Sequence, residues 1–417
     1  MRGINLLESA KELFEKEALL LPGLYVDPEV FELEKERIFA RSWVFLAHES
    51  EIPRPGDYVM RYVCEDSFLV CRTENGEISV LYNMCRHRGA QLCRAERGNT
   101  VAFRCPYHGW TFKNTGELIG VPYESEVFGG INKREWSLYS PRVETLYGMI
   151  FVNLDPEAPS LKEFLAGAEW YLAFYLEGGM EVCGPPHRWI VPANWKVGAE
   201  NFIGDDYHVG FLHRSALEVQ IIPAPYDFLK HGVMVHCGPW GGFLIGGGFP
   251  PLVHYPSELH EEIKRKLQPG QVAVIEKQLL LGNSTLFPNL SFLVPGSPYL
   301  TIRVWRPLGA ERMEIWSWCL VAREAPEEFK QSAYRAYVLQ FGTSGTVEQD
   351  DTEAWSSITR ACKGIVANRI PLNSRMGLDC WEPIADWPGP GTAYPFGYIE
   401  ANQRSFWRLY FQYMLGT

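Results

Sequence analysis

The chain has 417 residues, which is enough for more than one hydrophobic core of ordinary size. Hydrophobic residues make up 46% of it and charged residues 21%, a balance typical of soluble globular proteins. The formal net charge of −11 argues against a nucleic-acid partner, because an extended nucleic-acid surface needs basic patches.

The N-terminal segment, residues 1–42, carries charged residues near its start and no apolar run of the kind found in secretory signals. Elsewhere no stretch approaches the roughly 18 apolar residues that cross a bilayer. We therefore expect a cytoplasmic protein without a membrane partner. Apolar residues recur among charges over residues 29–41, which predicts an amphipathic helix.

The next segment, residues 43–155, consists of short β-rich runs separated by glycine, asparagine and proline turns. Its length is that of a small domain. We predict an all-β domain here, with strands at 58–63, 67–72, 77–82, 100–104 and 147–153.

Helices and strands mix over residues 156–417, without the regular alternation of a parallel sheet. We predict strands at 187–191, 231–237, 298–306 and 312–322, and helices at 161–176, 256–267, 325–341 and 346–363. The fold class is therefore α+β, with an antiparallel sheet covered by helices in this larger domain. The segment 1–42 is expected to pack on it.

Two short motifs in the β-rich segment each pair a cysteine with a histidine: Cys85-Arg-His87 and Cys105-Pro-Tyr-His108. Two thiolates and two imidazoles could form a tetrahedral zinc site. Zinc fingers, however, usually pair cysteine with cysteine and histidine with histidine. One residue of each type in each half resembles the Rieske [2Fe–2S] motif, in which the cysteines hold one iron and the histidines the other.

Most of the remaining cysteines have no partner at metal-binding spacing. A large chain without a secretory signal is expected to use cysteine for metal rather than for disulfides. We interpret the unpartnered ones as buried thiols: Cys64, Cys71, Cys183, Cys237, Cys319, Cys362 and Cys380.

Residues 85–113 carry a positive charge excess in a negatively charged chain. One interpretation is a docking surface for an acidic electron donor, because complementary charge speeds encounter. The alternative is a solvated loop whose arginines pair with acids elsewhere. The basic residues are Arg86, Arg88, Arg94, Arg97, Arg104 and Lys113, against Glu96 alone.

A second group of possible metal ligands begins with His208 and His213. Five positions on an ideal helix turn through about 140°, so these imidazoles share an ion only if the helix ends or distorts between them. Gly210 lies at a suitable place for that. Further along the chain, over residues 341–355, a glycine-containing loop leads into a helix that starts with acidic residues. Asp350 and Asp351 lie there, and either carboxylate could face the histidines. Two histidines and one carboxylate form the facial triad of non-heme Fe(II) oxygenases.

The chain thereby resembles the large α subunits of Rieske non-heme iron aromatic-ring-hydroxylating dioxygenases, of the naphthalene or biphenyl dioxygenase kind. The resemblance rests on the Rieske motif, Glu-Asn-Phe-x-Gly-Asp, Asp-x-x-His-x-x-x-x-His and Phe-Gly-x-x-Gly-x-x-Glu-x-Asp-Asp. It implies that Cys85, His87, Cys105 and His108 bind a Rieske cluster within a domain spanning 43–155. It also implies that His208, His213 and Asp351 bind mononuclear Fe²⁺ in a catalytic domain spanning 156–417.

The resemblance also assigns roles to residues around the iron. Asp205 matches a bridging aspartate, which there hydrogen-bonds an iron-ligand histidine and a Rieske histidine of the neighbouring subunit; as an alternative it caps a helix. Asn201 matches an asparagine close to the iron. Three aromatic residues match pocket positions but could equally belong to the core: Phe202, Trp305 and Trp355.

The implied function is that of a terminal oxygenase that hydroxylates an aromatic ring, most simply by cis-dihydroxylation with O₂. Electrons would pass from NAD(P)H through a flavin reductase, a ferredoxin or both. The expected assembly is a trimer of α subunits, alone or with a small β subunit (α3 or α3β3). The alternatives are a Rieske monooxygenase or demethylase on the same fold, and a pure electron carrier.

Two further features bear on the substrate. Arg303 and Arg306 flank Trp305, and one of them could bind a substrate carboxylate, although a structural role is the more common one for such residues. The glycine-rich stretch at 240–285 could form a mobile lid.

Overall fold

The computed structural model describes residues 2–222, 228–238, 240–247 and 250–416. It divides into two compact units. One combines Met1–Ile38 with Pro159–Thr417, and the other is Phe39–Ala158. Among the residues so described, none of the helices is both long and apolar enough to cross a membrane.

The helices, in chain order, are α1 (Arg2–Glu17), α2 (Pro28–Glu34), α3 (Glu124–Phe128), α4 (Leu161–Leu165), α5 (Glu169–Leu176), α6 (Trp195–Phe202), α7 (Val209–Leu212), α8 (Arg214–Glu218), α9 (His260–Lys266), α10 (Pro269–Glu276), α11 (Glu327–Phe341), α12 (Thr346–Cys362) and α13 (Ala401–Leu415).

The strands are β1 (Leu19–Leu20), β2 (Val44–His48), β3 (Asp57–Val63), β4 (Asp66–Arg72), β5 (Ile78–Tyr82), β6 (Arg97–Asn99), β7 (Ala102–Arg104), β8 (Thr111–Lys113), β9 (Leu118–Gly120), β10 (Arg142–Leu146), β11 (Met149–Asn153), β12 (Met180–Val182), β13 (His187–Val191), β14 (Val233–Cys237), β15 (Gly241–Gly247), β16 (Leu279–Leu286), β17 (Leu290–Leu293), β18 (Leu300–Gly309), β19 (Arg312–Ala322), β20 (Leu372–Asn373) and β21 (Thr392–Tyr394).

The unit Phe39–Ala158 is built from small antiparallel sheets. Their strand orders are β10-β11-β2, β5-β4-β3-β6 and β7-β8-β9. Buried residues such as Leu69 and Phe112 form its core, together with Cys85 and Cys105. The two cysteines lie just beyond the ends of β5 and β7, so the sheets hold the loops that carry them.

The larger unit is organised around a nine-stranded antiparallel sheet. Its order is β12-β19-β18-β17-β16-β15-β14-β21, and β13 also pairs with β19. Strand β19 is buried along almost its whole length. Helices α6, α11 and α13 pack against the sheet, and α1 packs against α13, where Phe14 and Phe411 have ring centroids 5.7 Å apart. Helices therefore cover the sheet, and the α+β expectation is confirmed.

Several predicted elements differ in detail. The helix expected at 29–41 begins at Pro28, where the Asp27 carboxylate accepts hydrogen bonds from the first turn, and it widens into a π-helical turn at Lys35–Phe39. The helix expected at 161–176 is two helices, because Ala166 adopts a left-handed conformation with φ of 47°. The strand expected at 100–104 is shorter: it corresponds to β7 (Ala102–Arg104), and β6 lies just before it.

The proposed lid at 240–285 is wrong where the stretch belongs to the large sheet, in β15 and β16. Strand β15 lies inside the large sheet, between β14 and β16, and α9 and α10 follow it. Residues 248 and 249 of this stretch lie outside the described part of the chain. A central strand held by two neighbours is not a lid.

Candidate metal centres

The two Rieske-type loops have the same local structure. In each, the backbone N–H of the cysteine donates to a carbonyl five residues on: Cys85 to Ala90 at 2.8 Å and Cys105 to Trp110 at 2.7 Å. A glycine N–H donates back to each cysteine carbonyl, at 2.9 and 3.0 Å. Both glycines have φ near +70°, which favours glycine over any other residue. Two matched loops thus present one thiol and one imidazole each.

The four side chains are arranged with thiols together and imidazoles together. Cys85 and Cys105 are buried; burial, followed by contact with the Cys105 thiol, raises the pKa of Cys85. The rings of His87 and His108 have centroids 4.6 Å apart, and the buried Nδ1 of His87 has no hydrogen-bond partner among the described residues. His87 stacks on Trp110, with ring centroids 5.0 Å apart.

This pairing fits a two-iron cluster better than a single ion. In the part of the chain that the structure describes, His208, His213 and Asp351 are the one group of three whose ligand atoms lie within 4.8 Å of one another. The Rieske-type cysteines and histidines are thus spread more widely than one tetrahedral ion requires. A wider spacing, with like ligands paired, is the arrangement that a [2Fe–2S] centre with two thiolates and two imidazoles needs.

The second centre is assembled from α7, the residues on either side of it, and α12. The Nε2 atoms of His208 and His213 lie 3.4 and 3.2 Å from Oδ1 of Asp351. The helix does not distort at Gly210, where a break was predicted. Instead, α7 is a single turn that ends at Leu212, and the backbone of His213 (φ −94°, ψ 24°) separates it from α8. Because His208 and His213 lie on either side of this single turn, both imidazoles can face the carboxylate of Asp351.

Helix α12 places Asp351 because of how it begins. Gly345 precedes it, and a Cβ atom there would lie 2.4 Å from the carbonyl oxygen of Gln340, so only glycine permits the tight turn from α11. Burial opposes ionisation of Asp351, but contacts with His208 and His213 outweigh it, and the pKa of this carboxyl lies below its ordinary value. The group is a carboxylate, as a metal ligand must be.

A second carboxylate approaches the other nitrogen of each imidazole. Asp205 Oδ2 lies 3.6 Å from Nδ1 of His208, and Asp350 Oδ2 lies 3.2 Å from Nδ1 of His213. Asn201 Nδ2 is also 3.5 Å from Nδ1 of His208. Burial of His208 opposes a positive charge on its imidazole, but contacts with Asp205 and Asp351 outweigh this effect and raise the pKa of His208. Carboxylates in these positions fix the ring orientation and direct Nε2 toward a metal.

The structure separates the roles of the neighbouring acids. Asp205 does not cap α7, whose N-cap residue is His208 with no capping side chain. Its side chain is 39% exposed while it contacts His208. Asp350 contacts His213 from the side opposite Asp351. Sequence reasoning missed this contact, because it considered Asp350 only as an alternative metal ligand to Asp351.

An apolar cavity opens at this centre. Asn201, Phe202 and the three possible metal ligands line it, with apolar residues that include Val209, Leu293, Val294, Phe341 and Val347. Phe202 therefore lies where a pocket wall was predicted. Trp305 and Trp355 are not among the described residues that line the cavity, so the core position given as their alternative applies. Both are fully buried and pack behind Phe202, at ring-centroid distances of 5.0 and 6.5 Å.

Arg303 and Arg306 have the structural role that sequence analysis gave as the more common one, and not the alternative of binding a substrate carboxylate. Arg303 is fully buried and pairs with the buried Glu348 at 2.5 Å. Arg306 pairs with Glu314 at 2.7 Å. Each guanidinium already has an internal carboxylate, and neither lines the cavity.

Comparison with known proteins agrees with both centres. The family model for the Rieske [2Fe-2S] domain matches residues 42–134, and the model for the ring-hydroxylating alpha subunit catalytic domain matches residues 161–414. The chain is 36% identical to the biphenyl 2,3-dioxygenase α subunit of Rhodococcus jostii (strain RHA1), over 90% of this chain and 85% of that protein. It is 35% identical to the N,N-dimethyl phenylurea N-demethylase α subunit of Sphingobium sp. (strain YBL2), over 93% and 90%.

Among solved structures, the chain is similar to naphthalene 1,2-dioxygenase from Rhodococcus sp. bound to indole. The TM-score is 0.94 at 43% identity, covering 99% of this chain and 98% of that one. The chain therefore belongs to the α subunits of ring-hydroxylating dioxygenases, terminal oxygenase components that carry a Rieske [2Fe–2S] cluster and a mononuclear non-heme iron.

Proposed function

We propose that this α subunit adds both atoms of O₂ to one face of a neutral aromatic hydrocarbon, giving a cis-dihydrodiol. The observation that carries the proposal is a mostly apolar cavity whose lining includes the possible metal ligands His208, His213 and Asp351. Among the described residues no lysine or arginine lines that cavity. A carboxylated arene would lose its solvation there without gaining a lysine or arginine side chain as a partner.

In this proposal, Cys85, His87, Cys105 and His108 hold the cluster, and the two histidines with Asp351 hold the iron. When bound, the cluster supplies single electrons and the iron supplies the oxygen chemistry. With three protein ligands, the site would hold an iron that is not fully coordinated by the protein. The cavity walls orient the ring and exclude water.

The residues around the iron ligands position them. Asp205 and Asp350 hold the Nδ1 sides of the two imidazoles, so that both Nε2 atoms are directed inward. We also assign to Asp205 the link to His108 of a neighbouring subunit, within an α3 or α3β3 assembly. The exposure of both side chains supports this role, because a link between subunits needs both to be reachable.

The electron donor is an acidic ferredoxin or flavin reductase that takes electrons from NAD(P)H. Arg88, Arg94, Arg97 and Arg104 are exposed on the unit that carries the cluster. Arg86 is partly buried, donating to the Ser137 carbonyl oxygen at 2.6 Å. The exposed arginines give the donor a positively charged surface to approach.

A second reaction on the same site is N-demethylation, which the similarity to the phenylurea N-demethylase α subunit favours. Product analysis distinguishes the two. The holoenzyme with a reductase and ferredoxin is given naphthalene, biphenyl, benzoate or N,N-dimethyl phenylurea under ¹⁸O-labelled O₂. We expect a cis-dihydrodiol from a neutral arene that carries two labelled oxygens, and no product from benzoate.

If the product carries one labelled oxygen, or if demethylated phenylurea is the main product, then the enzyme is a monooxygenase and dihydroxylation is excluded as its main reaction. Turnover of benzoate in preference to the hydrocarbons would contradict the neutral-substrate assignment. The His208→Ala variant is the control for chemistry at the iron, because it keeps the cavity while removing one proposed ligand.

A further inference from the structure

Two cysteines far apart in sequence lie directly opposite each other at the edge of the large sheet. Strand β12 pairs antiparallel with β19, with Val182 opposite Leu320. The same register continues by one residue, because the backbone N–H of Cys183 donates to the carbonyl oxygen of Cys319 at 2.8 Å. The two thiols face each other closely enough to affect each other's pKa, and Sγ of Cys183 also lies 3.9 Å from the carbonyl oxygen of Lys330. They are therefore a cross-strand dithiol.

The two thiols differ in environment. Cys319 is buried, and burial raises the pKa of its thiol well above the ordinary value. Cys183 is partly exposed, and its interaction with the Cys319 thiol lowers the pKa of Cys183. The interpretation as a buried thiol is confirmed for Cys319, whereas Cys183 is only partly buried. The accessible thiol is the one that ionises more readily, which is the arrangement of an attacking and a resolving cysteine.

The backbone geometry is compatible with a bond between the sulfurs. Hydrogen-bonded partners on antiparallel strands have Cα atoms about 5.5 Å apart. Disulfides span Cα separations of about 4.4–6.8 Å. Their Cβ atoms, however, must approach from about 5 Å to about 4 Å, so the bond is strained and easily reduced.

We propose that Cys183 and Cys319 form a reversible redox-modification site, oxidised to a disulfide by hydroperoxides. The Cys183 thiolate attacks one peroxide oxygen, the O–O bond breaks, and the departing hydroxide takes up a proton to become water. This leaves a sulfenic acid on Cys183. The Cys319 thiolate then attacks the Cys183 sulfur and displaces hydroxide, which leaves as water with the proton that Cys319 lost. Two thiols and one hydrogen peroxide thus give one disulfide and two waters.

Other cysteines provide the contrast. Cys380 is exposed, and its thiol contacts the Leu378 carbonyl oxygen, 3.3 Å away, rather than a second thiol. Its oxidation can therefore proceed only to sulfenic and higher acids within one chain. Cys85 and Cys105 also have thiols in contact, but these belong to the cluster site.

The experiment treats the holoenzyme with increasing hydrogen peroxide, blocks free thiols by alkylation, and maps the peptides without reduction. Visible absorption of the Rieske centre is followed throughout, and only samples that retain it are mapped, so that cluster damage is separated from dithiol oxidation. We expect a cross-linked peptide joining Cys183 to Cys319, which dithiothreitol reverses completely.

Cys183→Ser should abolish the cross-link, and the matched control Cys380→Ser should leave it unchanged. The proposal is overturned if both cysteines of the pair remain alkylatable when Cys380 has been oxidised. It is equally overturned if Cys183 proceeds to sulfinic acid without forming the cross-link. Because mapping of the wild-type protein decides both outcomes, the test does not depend on the variant folding.

Discussion

The Asp350→Asn substitution tests whether the outer carboxylates determine iron binding. Asp350 lies 3.2 Å from Nδ1 of His213, whose Nε2 faces Asp351. Asparagine keeps the shape but removes the charge that holds the imidazole in one orientation and tautomer. Loss of such a partner typically weakens metal affinity about 10–100-fold, or about 1.4–2.8 kcal/mol. Because the Asp350 side chain is 32% exposed, solvent screens it, and we expect a change near the lower limit.

The affinity is measured by competition with a calibrated Fe²⁺ chelator on protein that retains its Rieske absorption. Glu353→Gln is the matched control: this residue lies on the same helix, its side chain is 76% exposed, and it pairs with Arg360 at 3.3 Å. Asp351→Asn should lose iron altogether. If Asp350→Asn binds iron as tightly as wild type does, then the contact with His213 has no part in holding the metal and the reasoning fails.

Four further predictions concern separate parts of the molecule. His208→Ala should keep the Rieske absorption but lose iron and turnover; loss of both centres would show that they are not independent. Asp205→Asn should keep both metals yet slow electron transfer between them in single-turnover measurements, and an unchanged rate would remove its linking role. Charge reversal at Arg94 and Arg97 should slow reduction by the donor, most strongly at low salt, and a salt-independent rate would place docking elsewhere. Burial raises the pKa of Glu200 to about 7, above its ordinary 4.5, so the unfolded chain ionises first and stability falls as pH rises between these values. Glu200→Gln should therefore gain up to roughly 3 kcal/mol of unfolding free energy relative to wild type between about pH 5 and pH 8, and a gain independent of pH would contradict this.

The metal-ligand motifs could be read from sequence because each is local. A cysteine and a histidine within one short loop must lie close together, whatever the rest of the fold does. The contact between Asp350 and His213 could not be read in this way. It depends on how α12 is rotated about its axis, and a helix that begins with acids accommodates either carboxylate at its N-terminal end.

Strand β15 shows why another part of the fold was missed. Its sequence, Gly-Gly-Phe-Leu-Ile-Gly-Gly, has too much glycine to predict a strand from propensity. The glycines are there for packing: a Cβ atom on Gly242 would lie 2.4 Å from the Ile203 side chain, just beyond α6. Pairing with β14 and β16 then holds the strand despite its composition.

Helix α13 was missed for a related reason. Asn402, Gln403 and Arg404 in its first turn are all buried, so polar residues do not mark a solvent-facing side. Arg404, for example, donates to the carbonyl oxygens of Ser374 and Met376, both at 3.0 Å. An amphipathic period cannot appear where polar side chains face inward to satisfy backbone carbonyls.

Buried ion pairs lie on α6, which lines the cavity, and on α12, which carries Asp351. The pair on α12 helps to hold this metal ligand in orientation. On α6, Lys196 pairs with Glu34 at 2.5 Å, and both are almost fully buried. On α12, Glu348 pairs with Arg303 one helical turn before Asp351, on the same helix face. Such pairs add little net stability, since desolvation offsets their attraction, but breaking one costs about 3–5 kcal/mol. Rotating α12 by a single residue, which would turn Asp351 away from the imidazoles, would also separate Glu348 from Arg303. The buried ion pair therefore penalises every rotation of the helix except the one that presents the carboxylate to the metal.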